Sequence, residues 1–212
     1  MADISGSAIV DFARAKANTK VGSGECFDLA DQALKSVGAK SAADFGVITA
    51  DADYVWGSVV PVSGAQPGDI LQYRDYSRKR TVTVETTVNF KDGASVTMED
   101  TTESEITRPH HTSVVIATPS AGTVKIAEQN VDRGRGLEKL VKPDTIHFES
   151  QDPVSTTESK VALMDVALTT KIKRDYPDFA KKYANQAVKL EIKTTVTITV
   201  GGSLTAYRPQ AK

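Results

Sequence analysis

The 212 residues hold one cysteine, three histidines and one tryptophan, little of the side chains that ligate soft metals or form disulfides. A lone cysteine excludes an intramolecular disulfide and a cysteine-based metal site. His110, His111 and His147 offer no pair of ligands at metal spacing, and the thiol chemistry read below needs neither a metal nor another cofactor. Charge of one sign is lacking too: 26 basic and 27 acidic residues leave a net charge of −1. No global field therefore recruits nucleic acid or an anionic membrane. The short basic run Arg78-Lys79-Arg80 reads as a solvated hairpin end. No stretch approaches the ~20 apolar residues of a membrane span. The first twenty residues show no basic segment followed by an apolar one, so no signal peptide is expected in this form. Nothing in the sequence fixes an oligomeric state.

What is there suits a folded domain. Hydrophobic residues make up 40% and charged residues 25%, enough to build a core. Residues 7–16 read as an amphipathic helix with Ser5 or Ser7 as its cap. After Val21-Gly22-Ser23-Gly24-Glu25-Cys26 comes a second helical face, Phe27, Ala30, Leu34 and Val37, with Gly38 at the expected stop. Pro67-Gly68-Asp69 is a turn that launches a strand at Ile70-Leu71-Gln72-Tyr73. Residues 81–91 alternate up to Asp92-Gly93, a two-residue hairpin signal, and Ala94 to Asp100 would return. With polar residues on both faces, this ribbon is expected to protrude from the core. A second hairpin runs from His111 to Ala117, turns at Pro119-Ser120-Ala121-Gly122 and returns over 124–130. Further on, 174–189 reads as helix and 190–200 as a strand ended by Gly201-Gly202, with a last strand at 204–209. Helices first and antiparallel strands after give an α+β class.

The cysteine stands where chemistry is expected. Gly22-Ser23-Gly24 leads into a helix opening near residue 25, which puts Cys26 in its first turn. Free backbone N–H groups and the positive end of the dipole there favour an anion. They lower a thiol pKa and can also hold the oxyanion formed on an attacked carbonyl. The alternative is a small buried hydrophobe. Across the second hairpin, His111 must lie opposite residues 128–130. In one register it shares a face with Glu128 and Asn130, and in the other with Gln129, which sequence does not decide. Either neighbour would orient the imidazole as a base. Trp56 and Tyr73 are weak candidates for contacting substrate, and His147 reads as structural.

Taken together, Gly24-Glu25-Cys26-Phe27-Asp28-Leu29-Ala30, Trp56-Gly57, Pro67-Gly68-Asp69-Ile70, His111 with its apolar strand, Glu128-Gln129-Asn130 and the ending Tyr207-Arg208-Pro209 resemble the CHAP family. These are the cysteine, histidine-dependent amidohydrolases and peptidases, related to NlpC-type and papain-like enzymes. The resemblance implies a papain-like core, with helices packed on an antiparallel, partly barrelled sheet. It implies a catalytic quartet of Cys26, His111, Glu128 and Asn130, with His110 competing with His111 as base. One catalytic domain would span 1–212, with an inserted hairpin at about 76–108 and a helix and strand insertion at about 141–200. The implied substrate is an amide in the peptide part of peptidoglycan. The implied setting is synthesis in a bacterial or phage-infected cytoplasm with action at the cell wall. A cysteine peptidase acting on a protein or small amide, or a non-catalytic papain-like binding module, are the other readings.

Overall fold

The computed structural model describes residues 4–49, 51–132, 136–163, 166–183 and 187–212. Helix α1 spans Gly6–Ala15, where the Ser5 hydroxyl accepts a hydrogen bond from the Ala8 N–H at 3.3 Å. It buries Ile9, Val10 and Ala13. Helix α2 spans Cys26–Ser36 and buries Leu29, Ala30, Ala33 and Leu34. Gly38 ends it with φ +70°, and the Ala39 N–H returns to the Leu34 carbonyl at 3.0 Å.

Nine strands follow among the described residues: β1 (Ser58–Val60), β2 (Ile70–Asn89), β3 (Ser95–Ser120), β4 (Thr123–Glu128), β5 (Val131–Asp132), β6 (Leu137–Glu138), β7 (Lys142–His147), β8 (Gln151–Leu163) and β9 (Ala187–Arg208). Helices α3 (Val166–Asp175) and α4 (Pro177–Tyr183) lie between β8 and β9 in sequence. The main sheet runs β1-β9-β2-β3-β4-β7, with β8 also paired to β9, while β5 and β6 form a separate two-stranded sheet. The fold is mixed, mostly antiparallel, with few helices. Among the described residues the sheet does not close into a barrel, since its path runs from β1 to β7 without joining them.

The chain divides into two compact units. The first comprises residues 1–78, 105–150 and 199–212. Its sheet has apolar side chains on both faces, as the alternation of a strand requires. Ile70, Val114 and Ala127 join one cluster with Ile9, Leu29, Leu34 and Trp56. Their chain neighbours Leu71, Val115 and Ile126 join another with Tyr73, Tyr76 and Ile146. Close approach makes Gly68 necessary here. A Cβ on it would lie 2.4 Å from the Cα of Gly6. This approach holds α1 against the turn before β2, and the Gly68 N–H donates to the Val115 carbonyl at 2.8 Å.

The second unit comprises residues 79–104 and 151–198. It corrects the expectation of a ribbon without an apolar face. Val88, Phe90, Val96 and Met98 are buried with Ile172, Ala180 and Leu190 in a core of its own. The ribbon's turn is also longer than two residues. The Phe90 N–H donates to the Ala94 carbonyl at 2.9 Å around Lys91, Asp92 and Gly93, and Gly93 takes φ +85°. A three-residue loop with glycine in the left-handed region serves the same end as the expected tight turn. Helix begins earlier than 174, at Val166, and strand β9 already runs at 187. Strand β8 had no expectation, since its described side chains, 151–159, are all exposed. Its ladder with β9, from Gln151↔Ile198 to Leu163↔Ala187, holds it. Nor does Gly201-Gly202 end a strand: β9 passes through it to Arg208. Gly202, at φ +77°, lets β9 come so near that a Cβ there would lie 2.1 Å from the Asp75 carbonyl oxygen.

Candidate active site

Cys26 is the first residue of α2, and the loop before it is fixed from two sides. From the helix, the Asp28 carboxylate accepts from the Ser23 N–H at 2.9 Å, the Ser23 hydroxyl at 2.6 Å and the Glu25 N–H at 3.2 Å. From the end of β4, Gln129 accepts from the Val21 N–H at 3.1 Å and donates to the carbonyls of Val21 at 3.0 Å and Glu25 at 2.6 Å. Gly22 (φ +57°) and Gly24 (φ +94°) supply the left-handed turns of this loop. The thiol is partly exposed.

The register left open by the sequence is Val114↔Ala127 and Val115↔Ile126. Extended by three residues, it sets His111 opposite Asn130 and on the face of Glu128, with Gln129 on the other. The His111 imidazole is 4% exposed, and its Nε2 lies 3.0 Å from Glu128 Oε2. The ring also hydrogen-bonds the Cys26 thiol, and with Nε2 occupied by the carboxylate, Nδ1 is the atom left for sulfur. Burial would push the Cys26 pKa up, but the His111 bond and charge and the N–H groups of Thr112 and Phe27 prevail, so it is lowered. Burial would push His111 down, but its bonds to Cys26 and Glu128 prevail and hold it raised. The pair therefore favours thiolate and imidazolium together.

Arg108 completes the chain, and sequence reasoning missed it. It is 3% exposed, with Nε donating to Glu128 Oε2 at 2.9 Å and Nη2 to Oε1 at 2.6 Å. Nη2 also donates to Asp144 Oδ2 at 3.1 Å. Burial opposes the charge of Glu128, yet the bonds from His111 and Arg108 bring its pKa to about 2. A strictly alternating strand puts residues 108 and 111 on opposite faces, which is why Arg108 drew no attention. The only sequence signal was an arginine beside two histidines.

Asn130 takes a different place from the one expected by resemblance. At φ +62° it donates from Nδ2 to Glu25 Oε2 at 2.6 Å, so it braces the residue that caps α2. Lys139 holds the other Glu25 oxygen at 2.9 Å. His110 holds other partners: its Nε2 lies 2.7 Å from the Ala52 carbonyl oxygen and its ring packs near Tyr54, with centroids 5.4 Å apart. Two weak substrate candidates prove to be core. Trp56 and Tyr73 are both fully buried, Trp56 donating to Gln72 at 3.2 Å and the Tyr73 hydroxyl bonding Ser113 at 2.7 Å. Burial of apolar ring area outweighed a place at the rim. The open cleft over Cys26, of about 540 Å³, is lined instead by Phe27, Ile48, Thr49, Tyr54, His110 and Asn130 with Glu25 and Asp28. His147 meets Thr123 at 3.2 Å. Among the described residues no group of three or more His, Cys, Asp or Glu side chains is placed to hold a metal ion.

A partly exposed thiol joined to a buried imidazole, itself joined to an ionised carboxylate, can act as a nucleophile with its own base. Comparison with known proteins agrees with this fold. A family model described as the AIM3/BBC1 cysteine proteinase-fold domain matches residues 1–150. No curated protein and no solved structure matches the chain.

Proposed function

The chain belongs to the AIM3/BBC1 cysteine proteinase-fold family, and from that premise we propose that it is a cysteine-dependent amidase or peptidase acting through Cys26. One observation carries the reading: buried His111 bonds both Cys26 and Glu128. His111 takes the thiol proton, and the thiolate attacks an amide carbonyl carbon. Backbone N–H groups at the start of α2 hold the oxyanion. The imidazolium gives its proton to the leaving nitrogen, the C–N bond breaks and a thioester remains. Water, losing its proton to His111, then attacks the thioester, and the C–S bond breaks to release acid and thiolate. Glu128 stays ionised throughout and steadies the imidazolium.

The finer reading takes the amide to lie in the peptide part of peptidoglycan. It rests on the order of CHAP-like motifs from Gly24 to Asn130. An amide in a protein or a small molecule is the second reading, favoured by a family description that names a proteinase fold. Iodoacetamide should label native Cys26 at pH 7, well below the reference thiol value of about 8.5, and His111→Ala should move that profile upward. Labelling only after denaturation would end the enzyme reading and leave a binding module. Mass spectrometry of peptidoglycan and of protein digests, each with Cys26→Ala as control, then separates the two substrates.

A further inference from the structure

Glu128 serves two masters. Its Oε2 is shared by His111 at 3.0 Å and by Arg108 Nε at 2.9 Å, while Oε1 is taken by Arg108 Nη2 at 2.6 Å. A carboxylate that faced His111 alone, at 0% exposure, would hold the imidazolium with its whole charge. The guanidinium fork takes up much of that charge, and its planar geometry fixes the carboxylate so that one oxygen meets the ring. We propose that Arg108 is a positioning residue whose two-armed grip on Glu128 sets the pH range over which His111 gives up its proton. This rests on the reading of His111 as the base of Cys26.

The groups facing His111 come from four strands and a helix. Cys26 lies on α2, Glu128 on β4 and Arg108 on its own strand, β3. Asp144 on β7 reaches it only through Arg108, at 3.1 Å from the guanidinium. From β2, the Tyr73 ring lies with its centroid 5.6 Å away, its hydroxyl kept protonated by full burial. Of these named groups Arg108 is the only cation, so its removal takes a positive charge from Glu128 beside the imidazole. A base held too strongly by its carboxylate stays protonated at neutral pH, and cannot take the thioester-resolving proton from water.

The test follows the three histidine side chains of the native chain by NMR through a pH titration, with His111→Asn assigning the signal. Arg108→Met should raise the His111 midpoint by about one pH unit, the size expected when one charge within a few ångströms is lost. Arg108→Lys keeps the charge but not the fork, and should raise it by about half as much. The upper limb of the Cys26 alkylation profile should move with it. If both folded variants titrate His111 at the wild-type pH, with only the melting temperature lowered, Arg108 is structural and the proposal is overturned. Should the methionine variant not fold, an unmoved midpoint in the lysine variant overturns it equally. Because the titration reads His111 directly, a Cys26 that resists alkylation would overturn the enzyme reading without obscuring this result.

Discussion

Glu128→Gln changes one atom type in the most buried part of the site, and its cost can be worked from the structure. The carboxyl, ordinarily near 4.5, is held at about 2 in the fold. At about 1.4 kcal/mol per pH unit, the ionised group contributes about 3 kcal/mol to folding. A depressed pKa places that contribution above pH 4.5 and removes it as pH falls through 2. The amide keeps the shape but cannot carry the charge. Its one oxygen can accept from Arg108 or from His111, not fully from both, and its N–H₂ faces donors. Arg108 is then left with Asp144 alone among the carboxylates it bonds here. Urea unfolding at pH 7 should show a loss of about 3 kcal/mol, shrinking to roughly 1 kcal/mol at pH 3, where wild type has lost most of the same contribution. In parallel, turnover on any cleaved amide should fall by about 100-fold or more, since the imidazolium loses its counter-charge. A variant as stable as wild type at pH 7, or a gap that does not narrow in acid, would refute the argument.

Two further substitutions probe other parts. Asn130→Ala should cost less activity than Glu128→Gln, because Asn130 braces Glu25 rather than the imidazole; turnover of the two folded variants compared side by side checks it, and the reverse order would make Asn130 the main partner of His111. Phe90→Ala, in the hairpin the sequence suggested would protrude, should lower unfolding free energy by about 3–5 kcal/mol, the range for a buried aromatic; an unchanged urea midpoint would return the ribbon to the surface.

Much of the site was legible because it depends on local rules. Gly-Ser-Gly before a helical face put Cys26 in a first turn, and a hairpin with a short turn brought His111 across from 128–130, whichever the register. Buried positions such as Ala30 and Leu34 followed from apolar spacing alone. Trp56 and Tyr73 misled because an aromatic side chain reads the same at a rim as in a core. The expected ribbon misled for a related reason. Val82, Val84, Val88 and Phe90 alternate as a half-buried strand should, but the layer that covers the tip comes from Ile172, Ala180 and Leu190, about eighty to a hundred residues later in the chain.

The sequence by itself determined the first two helices, the strand periods of the second hairpin and the set of groups able to make a nucleophile and its base, since each depends on neighbours a few residues away. Tertiary structure alone decided that the Glu128 carboxylate serves His111, because one residue of register exchanges it for the Gln129 amide. It alone brought Arg108 to that carboxylate, Asn130 to Glu25, and a second core to the hairpin tip. These are long-range pairings between side chains whose types fit many partners, and only the folded backbone selects among them.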